Sequence, residues 1–240
     1  MRKIKKNHES RPDPKAHRWD EFRLIKKIIK QTSGCVRGLI VPPGDDACLL
    51  SPLNRPVIST DTQREGVHFR LDWQSPEEIG EKAVSIALSD LAASYARPVS
   101  LFVNLSMPPR FSDAFVEALY EGICAGLDRY GCSLGGGNIS SGKELSLDLF
   151  AVGEGREDIF PKRSGARAGF DLYVTGPLGM ARAGLDALRK DDGEFPLLVD
   201  RFKRPRARFD AAEILAAHGV ACVMDISDGL SGDAAHMAEA

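Results

Sequence analysis

Four groups of acidic residues directly follow apolar stretches in this 240-residue chain: Gly44-Asp45-Asp46, Ser59-Thr60-Asp61-Thr62, Ser89-Asp90 and Asp225-Ile226-Ser227-Asp228-Gly229. Solvated aspartates favour exposed loops, so carboxylates repeated at the ends of buried segments are candidates for a site. Hard cations such as Mg²⁺ take oxygen ligands, commonly one or two carboxylates completed by water and substrate phosphates. Several such clusters around one cleft therefore suit phosphoryl chemistry. The chain has no GxxxxGK[ST] loop and no HRD or DFG set, so an ATP enzyme built from it would manage the phosphates largely through metals.

Three of the groups also have a plainer reading. Ile79, Ala83 and Ile86 recur at i, i+4 and i+7, and the next step of four lands on Asp90, which places a carboxylate on the core-facing side of a helix. Such a group is costly unless it is paired, for instance with Arg97, or bound to metal. Pro42-Pro43-Gly44-Asp45-Asp46 is strong turn chemistry, and Ser227 or Asp228 fits a helix N-cap. The run Ser133-Leu-Gly-Gly-Gly-Asn-Ile-Ser-Ser-Gly142 reads as a turn that either holds a phosphate or reverses the chain. His68, between Val67 and Phe69, reads on its own as a hydrogen-bonded structural histidine, and Arg163 as a solvated linker arginine.

The elements that must position these residues are legible from periodicity. A helix is predicted from Trp19 to about Lys30, where Phe22, Ile25 and Ile29 share a face. Short strands follow at Ala47 to Leu50, Pro56 to Thr60 and Val67 to Arg70. Ser75, Pro76 and Glu78 form a capping box and a first helical position for a helix running to about Tyr95. Val99 to Met107 is a buried strand, and Ser112 to Arg129 a helix stopped by Gly131. Leu145, Leu147 and Leu149 alternate as a strand with one wet face. Beyond a linker at Arg163 to Gly169, strands are expected at Asp171 to Thr175 and Val220 to Ile226. Helices are expected at Leu178 to Arg189, Ala207 to His218 and from about Gly229.

Composition narrows the class. A hydrophobic fraction of 43% supports a real core, and a formal net charge of -2 asks for neither nucleic acid nor a membrane surface. No apolar run approaches the roughly 18 residues of a membrane span. Five scattered cysteines without a CxxC pair fit reduced thiols and a cytoplasmic protein. The fold class is α/β (α+β) in three parts: a disordered basic leader over 1–18, an N-terminal unit over 19–162 with a mixed sheet, and a second unit over 163–240 short of its own core.

Read as a set, "GDDACLL", "STDTQREGVHF", "EKAVSIALSDLAA", "LGGGN", "PKRSGARAG" and "DISDGL" resemble, in order and spacing, the thiamine-monophosphate kinases. These belong to the ATP-binding superfamily that includes aminoimidazole ribonucleotide synthase. The resemblance runs from about Glu21 to the end of the chain. It implies an aminoimidazole ribonucleotide synthase-like N-terminal domain that binds ATP and metal and pairs with a second copy as a homodimer, followed by an incomplete α+β C-terminal domain. The implied reaction is direct transfer of the γ-phosphoryl of ATP to thiamine monophosphate, with several Mg²⁺ ions and no covalent enzyme intermediate. Matched positions imply Asp46, Ser59, Thr60, Asp61, Asp90, Asn138, Asp225 and Asp228 as metal ligands. Gly137, Asn138, Arg163 and Ser227 are implied as nucleotide contacts, and His68 as a contact to the substrate. The family usually carries an aspartate at Asn138; an amide oxygen brings no negative charge and is expected to weaken metal-nucleotide affinity. The family's C-terminal domain continues beyond the point where this sequence stops. Two alternatives stay open: a non-catalytic nucleotide-binding or dimerisation homologue, and a superfamily enzyme with another acceptor.

Overall fold

The computed structural model describes residues 19–191 and 193–240; the leader expected over 1–18 lies outside the described residues. The first helix, α1 (Glu21–Gln31), starts where the Asp20 carboxylate accepts the Arg23 N–H at 3.0 Å, and it buries Leu24 and Ile28. A small hairpin of β1 (Leu39–Val41) and β2 (Leu49–Leu50) follows.

The centre is a four-stranded sheet formed by β3 (Pro56–Arg64), β4 (Arg97–Met107), β5 (Ser133–Ser141) and β6 (Ser146–Glu154), in the spatial order β3-β6-β4-β5. β4 and β5 run parallel and the other pairs antiparallel, so the sheet is mixed. Two helices, α2 (Pro76–Ala93) and α3 (Asp113–Tyr130), cover one face. Alternation sends Leu101, Val103 and Leu105 of β4 and Leu147 and Leu149 of β6 into that layer, all essentially fully buried. The opposite face is open: Ile58 is 68% exposed and Phe150 40%.

Local chemistry explains the helices. Ser75 and Glu78 form the expected reciprocal capping box. Ser112 caps α3, and Gly131 ends it in the left-handed region at φ 62°. α2 and α3 cross at Gly80 and Gly122, where a Cβ would lie 2.2 Å from the Leu119 carbonyl oxygen and 2.0 Å from that of Glu77.

Several expectations are corrected. The glycine run is strand β5, with a bulge opposite Leu101/Phe102. Its glycines admit close contact with β4: a Cβ on Gly135 would meet the Ser100 hydroxyl at 2.3 Å, and one on Gly137 the Val103 carbonyl at 1.9 Å. Val67 to Arg70 is a turn closed by His68 N–H to Arg64 O at 2.9 Å. Cys35 and Cys124 are joined as a disulfide across 89 residues, where reduced thiols were expected; packing of the turn after α1 against α3 brings them together.

Beyond the sheet the chain forms α4 (Met180–Lys190), α5 (Pro196–Lys203), α6 (Phe209–Ala217) and α7 (Leu230–Glu239). The strands expected at 171–175 and 220–226 do not form, because neither segment finds a strand edge to pair with among the described residues. α5 was not anticipated. Among the described residues no helix is long and apolar enough to cross a membrane.

Candidate functional site

Alternation on β3 turns Ser59, Asp61 and Gln63 toward α2, and α2 brings Asp90 to the same place in its last turn. The Ser59 hydroxyl donates to the Asp90 carboxylate, in place of the Arg97 pairing that the sequence also allowed. Farther along the chain, Lys162 N–H donates to Ala221 O at 2.9 Å and the Cys222 thiol to Arg163 O at 3.2 Å. These contacts bring Arg163 and Asp225 to the walls of one cleft. The result is a cleft of about 320 Å³ lined by Ser59, Asp90, Arg163 and Asp225, with Val57 and Phe160 among its apolar walls.

The carboxyl groups in and next to the cleft are electrostatically unbalanced. Burial pushes the Asp61 carboxyl above the usual carboxylate range, the Thr62 N–H opposes this at 2.6 Å, and the Asp90 charge adds to it. Asp225 is raised first by burial and then by Asp90, while a hydrogen bond from Ser89 opposes the shift. Carboxyls raised chiefly by burial, and further by the Asp90 charge, are hard-oxygen donors short of positive charge, which suits a divalent cation. Among the described residues no group of three or more His, Cys, Asp or Glu side chains is arranged to hold a metal ion, so these carboxylates would bind one only with phosphate and water oxygens supplying the rest of the coordination.

The other sequence-predicted residues lie apart. Thr60, between Ser59 and Asp61, faces the open side of the sheet, in register with Phe150. Asn138 also faces that side, in one transverse row with Asn104, Asp148 and Thr62, and the Thr62 hydroxyl donates to Asp148 at 2.7 Å. Its strand is three strand spacings from β3, about 14 Å, so Asn138 and the neighbouring Gly137 are separated from the carboxylates of the cleft. Asp46 is exposed on the turn of the β1–β2 hairpin. Ser227 and Asp228 are exposed on the turn before α7.

His68 is exposed on its turn, and the Arg64 N–H donates to its Nδ1 at 3.0 Å. The neutral ring therefore carries its proton on Nε2, a free donor.

Two residues escaped sequence reasoning. Asp233, 3% exposed, accepts the N–H groups of Asp228 (3.2 Å) and Gly229 (3.1 Å) and so shapes the turn beyond Asp225; an aspartate in the first turn of the last helix was the available signal. Lys82 is buried beneath His68, and it lies on the same stripe as Ile79 and Ala83.

Comparison with known proteins agrees with this architecture. Residues 44–154 match the family model "AIR synthase related protein, N-terminal domain". A thiamine-monophosphate kinase of Aquifex aeolicus is 36% identical over 224 residues, covering 91% of this chain and 70% of that protein. One of Mycobacterium tuberculosis strain H37Rv is 33% identical over 230 residues, covering 95% and 68%. Among solved structures, the thiamine-monophosphate kinase of Stenotrophomonas maltophilia superposes with a TM-score of 0.80 at 33% identity, covering 91% of this chain and 71% of that one. AaThiL, solved in complex with AMPPCP and TMP, gives 0.73 at 35% identity, covering 91% and 69%. Escherichia coli HypE, at 16% identity and a TM-score of 0.72, shares the fold. With identity above 30% extending over more than two thirds of its relatives' length, the chain belongs to the thiamine-monophosphate kinase family.

Proposed function

We propose that this chain transfers the γ-phosphoryl group of ATP to thiamine monophosphate, giving thiamine diphosphate and ADP. The observation that carries the reading is the cleft lined by Ser59, Asp90, Arg163 and Asp225, with Asp61 two residues along β3 from Ser59 and near enough for the Asp90 charge to act on it. Family membership supports the choice of acceptor, as does the AaThiL complex with an ATP analogue and TMP.

Asp61, Asp90 and Asp225, with the Ser59 hydroxyl, are the residues that would hold Mg²⁺. When bound, the cation supplies charge neutralisation and orientation for the phosphate oxygens. The Arg163 guanidinium offers a planar fork to the nucleotide phosphates. His68 Nε2–H is a donor for the anionic acceptor. A phosphate monoester loses its second proton near pH 6, so the acceptor oxygen is already ionised at neutral pH and no side chain need remove a proton. That oxygen forms the new bond to the γ-phosphorus as the bridge to the β-phosphate breaks, and ADP leaves with the bond electrons.

Asp46, Thr60, Asn138, Gly137, Ser227 and Asp228 belong to the proposal through the family resemblance, and they join the cleft only if the hairpin, the sheet face or the turn before α7 approaches it. We also read 19–162 and 163–240 as the two functional units, the uncovered sheet face as the seat of a second copy, and the cytoplasm, where ATP and Mg²⁺ are plentiful, as the compartment.

The test is chromatographic detection of thiamine diphosphate and ADP from purified protein, ATP, Mg²⁺ and thiamine monophosphate. Asp90→Asn is expected to lower kcat/KM by at least roughly 100-fold. Absence of turnover by the unaltered chain would overturn the reading, and nucleotide binding without turnover would assign it to a nucleotide-binding homologue.

A further inference from the structure

Lys82 is 6% exposed on α2. Its Nζ donates to the carbonyl oxygen of His68 at 3.0 Å and lies 4.0 Å from the centroid of the Phe202 ring on α5. The same ring meets Trp73 edge to face at 6.4 Å and 76°, and the Arg70 guanidinium lies 4.5 Å over Trp73. A continuous stack, Arg70–Trp73–Phe202–Lys82, thus runs from the chain just beyond His68, through α5, and back to the backbone of His68. Gln74 Nε2 to Lys203 O at 3.3 Å, and Glu78 to Lys203 and Arg204 at 3.3 and 3.0 Å, hold α5 in place beside it.

A buried ammonium is a poor choice for filling space, since taking it out of water is costly and a methionine would pack the same volume without that cost. Burial lowers its pKa to about 8, and no carboxylate contributes to the shift. The polar contacts of Lys82 are one ring face and one carbonyl, and the carbonyl belongs to His68, which the proposed function assigns as the contact to the acceptor. The ring on that residue is fixed at its other end by Arg64 N–H to Nδ1, while Phe69, 2% exposed, anchors the turn. Rotation of the turn would have to break the contact to Nζ.

We propose that Lys82 is a positioning residue that holds the His68 imidazole toward the acceptor phosphate and, through Phe202, makes that hold depend on α5 being docked. The proposal rests on the reading of His68 as a substrate contact. The acceptor site and the second unit are thereby coupled by one ammonium group.

The test combines kinetics with a readout that needs no turnover. Lys82→Met keeps the side-chain length, and it is expected to raise KM for thiamine monophosphate about tenfold and leave KM for ATP within about twofold. Phe202→Leu is expected to shift the same constant in the same direction. Lys82→Met combined with His68→Ala is expected to be no worse than His68→Ala alone, since Lys82 acts through that ring. An unchanged acceptor KM in Lys82→Met, or additive losses in the double variant, would overturn the proposal. In the substrate-free protein, the His68 imidazole NMR signals, assigned by their loss in His68→Ala, are expected to move in Lys82→Met. Signals that stay in place would overturn it as well. If His68→Ala leaves acceptor KM unchanged, the substrate reading of His68 falls, and the NMR comparison decides by itself whether Lys82 positions the ring.

Discussion

At the scale of single residues, Asp90 links sequence to site. Its place on the α2 stripe was readable from steps of four, and so was the need for a partner; that the partner is the hydroxyl of Ser59 was not, because 31 residues separate them. The parity of β3 was readable too: Ser59 and Asp61 are two apart and share a face, so Thr60 must take the other. Arg163 carries no local signal, and it reaches the cleft only through contacts at 221–222. The raised carboxyl groups lead to a prediction about metal and pH. A folded state that holds protons on Asp61 and Asp225 more tightly than the unfolded chain loses stability as those groups ionise with rising pH. A bound divalent cation offsets that loss only where the carboxylates are ionised. Mg²⁺ at about ten times its Kd is therefore expected to add about 1.4 kcal/mol, or about 3–5 °C in Tm, at pH 7. The gain is expected to fade toward pH 4. Differential scanning calorimetry at the two pH values checks this, and equal gains at both would place the metal elsewhere.

At the scale of elements, α2 and α3 were legible because capping chemistry and 3.6-residue periodicity agree within each segment. The glycine run misled, since composition alone does not distinguish a turn from a strand pressed against its neighbour. Only the contacts of Gly135 and Gly137 with β4 reveal the second case. Val67 to Arg70 has strand-like residues but is overridden by hydrogen bonds of Gly66 and His68 that close a turn. The crossing of α2 and α3 is a close backbone approach, and it presents Glu81 and Lys82 as well as Asp90 at set heights along one helix. Gly80→Ala would drive a methyl into the Leu119 carbonyl, 2.2 Å from the ideal Cβ. Backbone cannot yield as a side chain tip does, so the substitution is expected to cost about 2–3 kcal/mol. A thermal melt should fall by about 2–4 °C for each kcal/mol. A Tm equal to that of the unaltered chain would mean that the helices separate there at no cost.

At the scale of the whole molecule, the N-terminal architecture was written in alternation and periodicity, whereas the second unit was not. Its expected strands depend on partners rather than on their own residues, and without an edge to join they remain irregular. The pairing of Cys35 with Cys124 is likewise a product of tertiary packing that no spacing rule reveals. The same dependence on partners applies to the open side of the sheet. An antiparallel sheet tolerates water on one face when that face is polar. Here Ile58 and Phe150 stand exposed in rows with Phe102 and Val152, beside the polar row of Thr62, Asp148, Asn104 and Asn138. A second copy would cover the apolar rows with like surface, and a self-complementary patch of this kind suits a two-fold interface. Sedimentation of the unaltered protein is expected to give a dimer. Ile58→Lys places a charge at the edge-strand end of the exposed apolar rows, at a residue 68% exposed, so it is expected to give a monomer with its thermal melt retained. A monomer at all concentrations for the unaltered chain, or a dimer that survives Ile58→Lys, would assign this face to another role.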